Sequence, residues 1–436
     1  MLAACSPVVP ELAAGTQTTK TVLHASTATP TPMLSPTPFI SATSSVTTTP
    51  LTSLPPLAVG SPIDLSWLNM LDAENGWAIG GPHDSGSSSY VFRTFDSGES
   101  WIDVTPPIEA ESVPDAIQGG FFGFAFSATT AWITYRSGTK TSFAYTPPVN
   151  PVVWRTNDSG QTWQASTPLD IYHQGPYSVH IMTFSTPKNG WILTGIGIGG
   201  GSEAVTLHRS TDGGLNWQLI QDPIHGGFSS GYKTGMVFSD AIHGWYTGYC
   251  SACMLPFKVG QTNDGGLNWK DILSGTIIDQ SSIFGKADLF PVNMSCYPSD
   301  PVIRNNQVFI GISCQNRSED NSLAEYISCY LFRLPVNGGG WTYLAYPGGD
   351  IVTLDGKRIW SFGRGIISLS EDAGKNWRKI STVDWKGTLD FVTPTLGWAV
   401  AQDYSNNIAK YWLYQTKDGG ESWDLVNPIV AAASGT

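Results

Sequence analysis

From residue 61 onward the chain repeats one pattern of apolar and polar positions. A short alternating run comes first, Asp64-Leu-Ser-Trp-Leu-Asn-Met70, followed by a polar turn, Asp72-Ala-Glu-Asn75. A second run opens on Gly-Trp, Gly76-Trp-Ala-Ile-Gly80, and a third is Tyr90-Val-Phe-Arg-Thr94. After a tight polar hairpin comes a fourth, Trp101-Ile-Asp-Val104. Short runs of this kind between turn residues predict strands, so the unit is four strands, A to D, joined as a meander. Gly-Trp returns at Asn189-Gly-Trp191, His243-Gly-Trp245 and Leu396-Gly-Trp398, with weaker forms at Ala131-Trp132, Val308-Phe309 and Ile359-Trp360.

The C-to-D hairpin carries the sharper signal, (Ser/Thr)-x-Asp-x-Gly-x-x-Trp. Six copies run from Asp96 to Trp101, Asp158 to Trp163, Asp212 to Trp217, Asp264 to Trp269, Asp372 to Trp377 and Asp418 to Trp423. A seventh is decayed, with Val336 at the Asp position ahead of Gly338-Gly-Gly340-Trp341. Residues 61–428 divide into seven units of about 53 residues, a period that means a propeller or solenoid. The expectation is an all-β chain: a seven-bladed β-propeller of four-stranded antiparallel blades. Each blade supplies its own four strands, with no strand exchanged between the termini, and residues 429–436 form a tail. Blade five is the weakest unit; without it the ring has six blades.

These Asp residues read as structural. A turn carboxylate can accept backbone N–H bonds as Asx turns do, and the Gly supplies the positive φ that the turn needs. The Trp packs beneath its blade, where burying roughly 150–250 Å² contributes at most about 4–6 kcal/mol. Six equivalent positions around a ring cannot all serve one active site.

The paired motifs, His243-Gly-Trp245 with Asp264-Gly-Gly-Leu-Asn-Trp269 and Leu396-Gly-Trp398 with Asp418-Gly-Gly-Glu-Ser-Trp423, resemble the BNR/Asp-box propeller superfamily. Within it they look most like the photosystem II assembly-factor-like repeat proteins. The resemblance covers residues 61–428 and implies the fold; enzymes and pure binders share the motif. Sialidases of the superfamily clamp a carboxylate with an Arg triad whose first member precedes the first box. Here no Arg precedes Arg93, and Arg93, Arg155, Arg209 and Arg333 all sit at equivalent strand-C positions. A two-carboxylate glycoside hydrolase remains open, because 35 acidic residues offer no distinguishable pair.

Composition narrows the partners. With 23 basic against 35 acidic side chains the net charge is −12, which argues against nucleic acid and against docking on anionic lipid. No run of 18 apolar residues exists to span a membrane as a helix. Leu2-Ala3-Ala4-Cys5 resembles a bacterial lipobox with Cys5 as the lipidated residue, although only four residues precede that Cys where a basic and an apolar region are needed. The segment behind it, to about residue 60, is rich in Ser, Thr and Pro and reads as a disordered stalk. Together they predict an exported, cell-surface or periplasmic-side lipoprotein, monomeric, touching the membrane only through Cys5.

In a four-stranded meander the A–B and C–D turns share one face, and the B–C and D–A loops share the other. Nearly all inserted sequence falls on the second face, where binding usually sits. Ligand-binding candidates there are Tyr135, Arg136, Tyr145, Tyr172, His173, Tyr232, Arg317, Arg364 and Tyr404, with Phe228 and Tyr326 as further aromatics. Five Cys map to the same face. A Cys314–Cys329 disulfide would staple one B–C loop and Cys250–Cys253 would form a second bridge; alternatively Cys296 joins either set. No cofactor or metal is expected, and no catalytic residue is assigned. The leading functional expectation is a scaffold that holds a protein or glycan on the loop-rich face, with a glycoside hydrolase as the alternative.

Overall fold

The computed structural model describes residues 54–86, 88–107, 121–135, 151–170, 178–199, 202–224, 228, 231–250, 257–274, 294–316, 326–403 and 409–432. Seven antiparallel sheets follow one another in chain order, and among the described residues there is no helix. Blade 1 is Ile63–Met70, Gly76–Pro82, Tyr90–Thr94 and Ser100–Asp103. Blade 2 is Phe121–Ala125, Ala131–Tyr135, Val153–Thr156 and Gln164–Ala165. Blade 3 is Ser178–Phe184, Gly190–Gly199, Ser202–Ser210 and Gln218–Gln221; blade 4 is Tyr232–Phe238, Gly244–Tyr249, Phe257–Thr262 and Lys270–Ser274. Blade 5 is complete despite its decayed hairpin. Its first strand comes in two pieces, Met294–Pro298 and Val302–Arg304, before Gln307–Asn316, Tyr326–Pro335 and Thr342–Ala345. Blade 6 is Asp350–Thr353, Ile359–Gly363, Ile366–Ser370 and Arg378–Thr382; blade 7 is Lys386–Phe391, Gly397–Asp403, Lys410–Thr416 and Asp424–Val426. Consecutive blades touch through their inner strands and blade 7 touches blade 1, so the ring is a closed seven-bladed β-propeller.

Closure differs from the expectation of independent termini. Ile429–Val430 runs parallel to Ser100–Trp101 as a fifth, outer strand of blade 1. Ala431 N–H donates to Trp101 O (2.8 Å), while on the other side Gly60 N–H donates to Val430 O (2.8 Å) and Ile63 N–H to Pro428 O (3.0 Å). The two ends of the repeat array are thereby sewn together where a ring of independent blades would otherwise part.

The Gly-Trp pair has a packing cause. Gly190 faces Phe184, the last residue of its own strand A, and a Cβ on Gly190 would fall 2.3 Å from that ring. Gly244 and Phe238, Gly397 and Phe391, and Gly76 and Met70 repeat the arrangement. The following Trp reaches the next blade. Trp132, Trp191, Trp360 and Trp398 donate their indole N–H to the carbonyls of Gly213, Gly265, Gly419 and Ser97, each the residue after the hairpin Asp of the neighbouring blade.

The hairpins share one bonding scheme. Thr94 Oγ1 donates to Asp96 Oδ1 (2.8 Å) and accepts from Gly98 N–H (3.0 Å), while Ser100 N–H donates to Asp96 Oδ1 (3.0 Å). Asp158, Asp212, Asp264, Asp372 and Asp418 repeat it. Partial burial of Asp96 works against ionisation, but the Ser100 and Thr94 bonds outweigh it and hold its carboxyl below the ordinary range. At Asp372 the backbone and side-chain N–H groups of Asn376 hold the carboxyl down to about 2. The strand-C arginines are also structural. Arg93 is fully buried over Trp77 (4.6 Å to the ring centre), and Arg155 and Arg209 lie over Trp132 and Trp191.

Candidate functional site

The inner strands present their free side-chain positions to the central channel, and on the loop-rich face several converge at its mouth. A cavity of about 210 Å³ lies there, walled by Tyr297, Ser299 and Ser313 of blade 5, Asp350, Phe362 and Arg364 of blade 6, and Lys386 of blade 7. Beside it the rings of Tyr232, Tyr249 and Tyr297 form a continuous run, 5.3 Å between the first two centroids and 5.2 Å between the second two. Tyr297 is 40% exposed, high for an aromatic side chain on an inner strand. Burial, and then the neighbouring Tyr297 and Tyr232, raise the Tyr249 hydroxyl, so the central ring of the platform carries no charge at neutral pH.

Two carboxyls stand in the channel next to this platform. Asp300 lies where strand A of blade 5 breaks, against Gly235 of blade 4, at which a Cβ would come within 2.6 Å of Asp300 Oδ1. Asp350 opens strand A of blade 6. Both side chains are exposed, and each is also flanked closely enough by protein for desolvation to act on it. Burial, and then the charge of Asp350, push the Asp300 carboxyl up to about 7; burial raises Asp350 as well. Neither shift derives from a hydrogen bond, unlike those of the hairpin Asp residues.

Arg364 occupies the two-residue B–C turn of blade 6 with φ +55°, followed by Gly365 at +73°. Its Nη2 donates to Gln315 Oε1 of blade 5 (2.6 Å). Both φ values are those of a type I′ turn, which favours Asn, Asp or Gly. An Arg there is out of keeping with the backbone.

Of the expected ligand-binding residues, Tyr232 and Arg364 come together at this mouth. Tyr135 ends strand B of blade 2. Arg136, Tyr145, Tyr172, His173, Arg317 and Tyr404 lie outside the described residues, as do Cys5 and Cys253. Phe228 is a packing residue, 5.3 Å from Trp269 and edge-on to Tyr246. Tyr249, Tyr297, Asp300, Asp350 and Lys386 join the site without having stood out in the sequence. The available signal was a charged residue opening a short apolar inner strand, at Asp350 and Lys386, and the Pro298-Ser-Asp-Pro301 interruption of another.

The disulfide differs from the expected staple. Cys314 is joined to Cys296, directly opposite it on strands A and B of blade 5, with Cα atoms 4.0 Å apart. Cys329 is opposite Ser313, not Cys314, and therefore points to the other side of the sheet, where it is a buried free thiol. Cys250 is disulfide-bonded.

One further cluster, Asp64, His83 and Asp84, brings three ligand-type atoms within 4.8 Å of one another. It is organised as an ion-paired network. His83 Nδ1 meets Asp64 Oδ1 at 2.7 Å and its Nε2 faces Asp84 at 3.4 Å, while Lys410 Nζ lies 3.7 Å from Asp84. The Asp64 hydrogen bond and charge raise the His83 imidazole, which suits a cation already in place.

No family model matches the chain, and no curated protein matches it. Among solved structures it is similar to a polysaccharide lyase of family PL25, an ulvan lyase, at TM-score 0.50 and 10% identity, over 87% of this chain and 98% of that one. It is also similar to the polysaccharide lyase Uly1, at TM-score 0.51 and 8% identity, over 87% and 94%. A sialidase of Trypanosoma rangeli is similar at TM-score 0.41 and 9% identity, over 82% and 55%. At these identities the lyases share the propeller fold.

Proposed function

We propose that this protein binds carbohydrate at the channel mouth, laying sugar rings on the Tyr232–Tyr249–Tyr297 platform with their hydroxyls toward Asp350, Arg364 and Lys386. The observation that carries this is the exposed Tyr297 at the junction of platform and cavity. Aromatic faces accept the apolar faces of sugars, and a few fixed polar groups set orientation. The fold shared with polysaccharide lyases supports a carbohydrate partner. The scaffold reading is thereby narrowed to its glycan half, and the likeness to assembly-factor-like repeats contributes the frame. We place the protein outside the cytoplasm, tethered at Cys5 by the Ser/Thr/Pro-rich stalk. The Cys296–Cys314 disulfide supports that compartment.

A screen of the purified chain against immobilised oligosaccharides tests the proposal. Retention of at least one glycan class, weakened tenfold or more by Tyr297→Ala or Tyr249→Ala, is the expected result. Absence of any retained glycan would overturn it.

One observation favours a second reading, a glycoside hydrolase. Asp300 and Asp350 interact electrostatically, burial raises both, and Asp300 reaches about 7; two neighbouring carboxyls, one of them raised, are the equipment for glycoside cleavage. Turnover of an aryl glycoside with a bell-shaped pH profile, abolished by Asp300→Asn or Asp350→Asn, would establish it.

A further inference from the structure

We infer that Arg364 and Lys386 make this site selective for the carboxylate of an acidic sugar, an inference that rests on the carbohydrate reading proposed above. The first ground is the backbone. Arg364 is held at φ +55° in a turn that Asn or Gly would occupy without strain. Backbone strain of this kind clusters at active sites and ligand clamps. Here the side chain lines the channel-mouth cavity.

The second ground is orientation. Gln315, on strand B of the neighbouring blade, accepts a hydrogen bond from Nη2 of Arg364 and so fixes the plane of the guanidinium. A planar fork of N–H donors matches the two oxygens of a carboxylate better than it matches a single hydroxyl. The third ground is Lys386. It opens strand A of blade 7, lines the same cavity, is exposed, and enters no ion pair among the described residues. In a chain of net charge −12, an ammonium that makes no ion pair among the described residues, in one cavity with a guanidinium, is a local gathering of positive charge.

Asp350 lines the cavity too and would oppose an anion if fully ionised. Burial raises its carboxyl, and burial and the charge of Asp350 raise the neighbouring Asp300 to about 7, which lessens the negative charge that Asp300 sets against an anion. Arg364 and Lys386 thus set two cationic groups beside Asp350 in the lining of one cavity.

Calorimetric titration with three matched ligands tests the inference: a uronic-acid oligosaccharide, its carboxyl-reduced counterpart, and a sulfated oligosaccharide without carboxyl groups. The wild-type protein should bind the uronic acid at least tenfold more tightly than either of the others. Arg364→Asn places a residue that the turn favours, so the fold is not at risk and the melting temperature should not fall. That variant and Lys386→Gln should each weaken the uronic acid tenfold or more while leaving the reduced sugar within twofold. Equal affinity for the acid and its reduced form would overturn the selectivity and leave the carbohydrate reading standing. A preference for the sulfated ligand would overturn the carboxylate assignment. Binding of none of a wider oligosaccharide panel would remove the carbohydrate reading itself.

Discussion

The indole of Trp191 lies face to face with the ring of Phe238, centroids 3.6 Å apart and planes within 1° of parallel, across the boundary between blades 3 and 4. Trp132 with Phe184 and Trp360 with Phe391 form the same stack at two other boundaries, at 3.7 and 3.9 Å. In each case strand B of one blade grips the end of strand A of the next, and the indole N–H secures the neighbour's hairpin. Trp245 breaks the series. Blade 5 has no Asp hairpin to offer, and the buried Trp245 Nε1 has no acceptor among the described residues.

That contrast predicts different costs for one substitution. Trp191→Phe leaves the Gly265 carbonyl without its donor, whereas Trp245→Phe removes a donor that is already unpaired. Both lose the same ring volume. A buried polar group left without a partner costs about 1–3 kcal/mol, so Trp191→Phe should destabilise by about 1 kcal/mol or more beyond Trp245→Phe. Urea midpoints with unchanged slopes measure the difference; equal losses would show that the indole bond contributes nothing.

Gly190 should resist even a methyl group. Its Cβ would lie 2.3 Å from the Phe184 ring, which is itself clamped against Trp132 and has nowhere to go. Gly190→Ala should therefore cost about 1–3 kcal/mol, as overpacking does. Gly197, with nothing within 4 Å of an added methyl and an ordinary φ, is the matched control and should be near neutral. A control that loses as much stability as Gly190→Ala would shift the cause from packing to backbone entropy.

These contacts explain what could be seen in advance. Hairpin chemistry is local, so Asp96 to Trp101 and its five repeats announce themselves within eight residues, and the Gly-Trp pairs give the next strand. Blade 5 folds without the Asp because its second and third strands, ten residues each, carry Val308, Ile310, Ile312 and Phe332 into one core. The binding mouth is different in kind. Tyr232, Tyr297, Asp350 and Lys386 come from four successive blades and meet only after the ring closes, so no local spacing marks them. The outer strand at Ile429–Val430 is two residues long and is defined by pairing alone. The cysteine pairing departs from expectation for a reason of parity: residues 328 and 329 face opposite sides, and only the register with strand B decides which side meets Cys314.

Cysteine mapping should follow that register. Peptides from the oxidised, non-reduced protein should show Cys296 linked to Cys314, with Cys329 alkylated only after unfolding. The bridge closes a loop of separation 18, so breaking it with Cys314→Ser should cost up to about 3 kcal/mol on the chain-entropy estimate. A Cys314–Cys329 peptide would show strand B of blade 5 paired one residue out of register.

Asp390 gives the most direct prediction of pH dependence. It is the penultimate residue of strand A of blade 7, bonded to blade 1, where burial pushes its carboxyl up to about 6 against the lowering effect of bonds from Met70 N–H (2.6 Å) and Asn69 and of the Arg304 charge. A carboxyl raised by folding binds its proton more tightly in the folded chain than in the unfolded one. Its stabilisation is therefore complete below the unfolded value near 4 and is lost as pH rises through about 6. The hairpin Asp residues, all lowered, act in the opposite sense: their stabilisation is present above pH 4 and disappears as pH falls toward 2. Asp390→Asn keeps an oxygen for Met70 N–H but cannot ionise. Relative to the wild type it should be close to neutral at pH 4 and increasingly stabilising toward pH 8, by about 3 kcal/mol at most. Thermal melts at pH 4, 6 and 8 read this as a widening gap in melting temperature. Parallel curves would mean that Asp390 is already ionised in the folded ring at pH 4, held by Arg304 and the Met70 amide despite its burial.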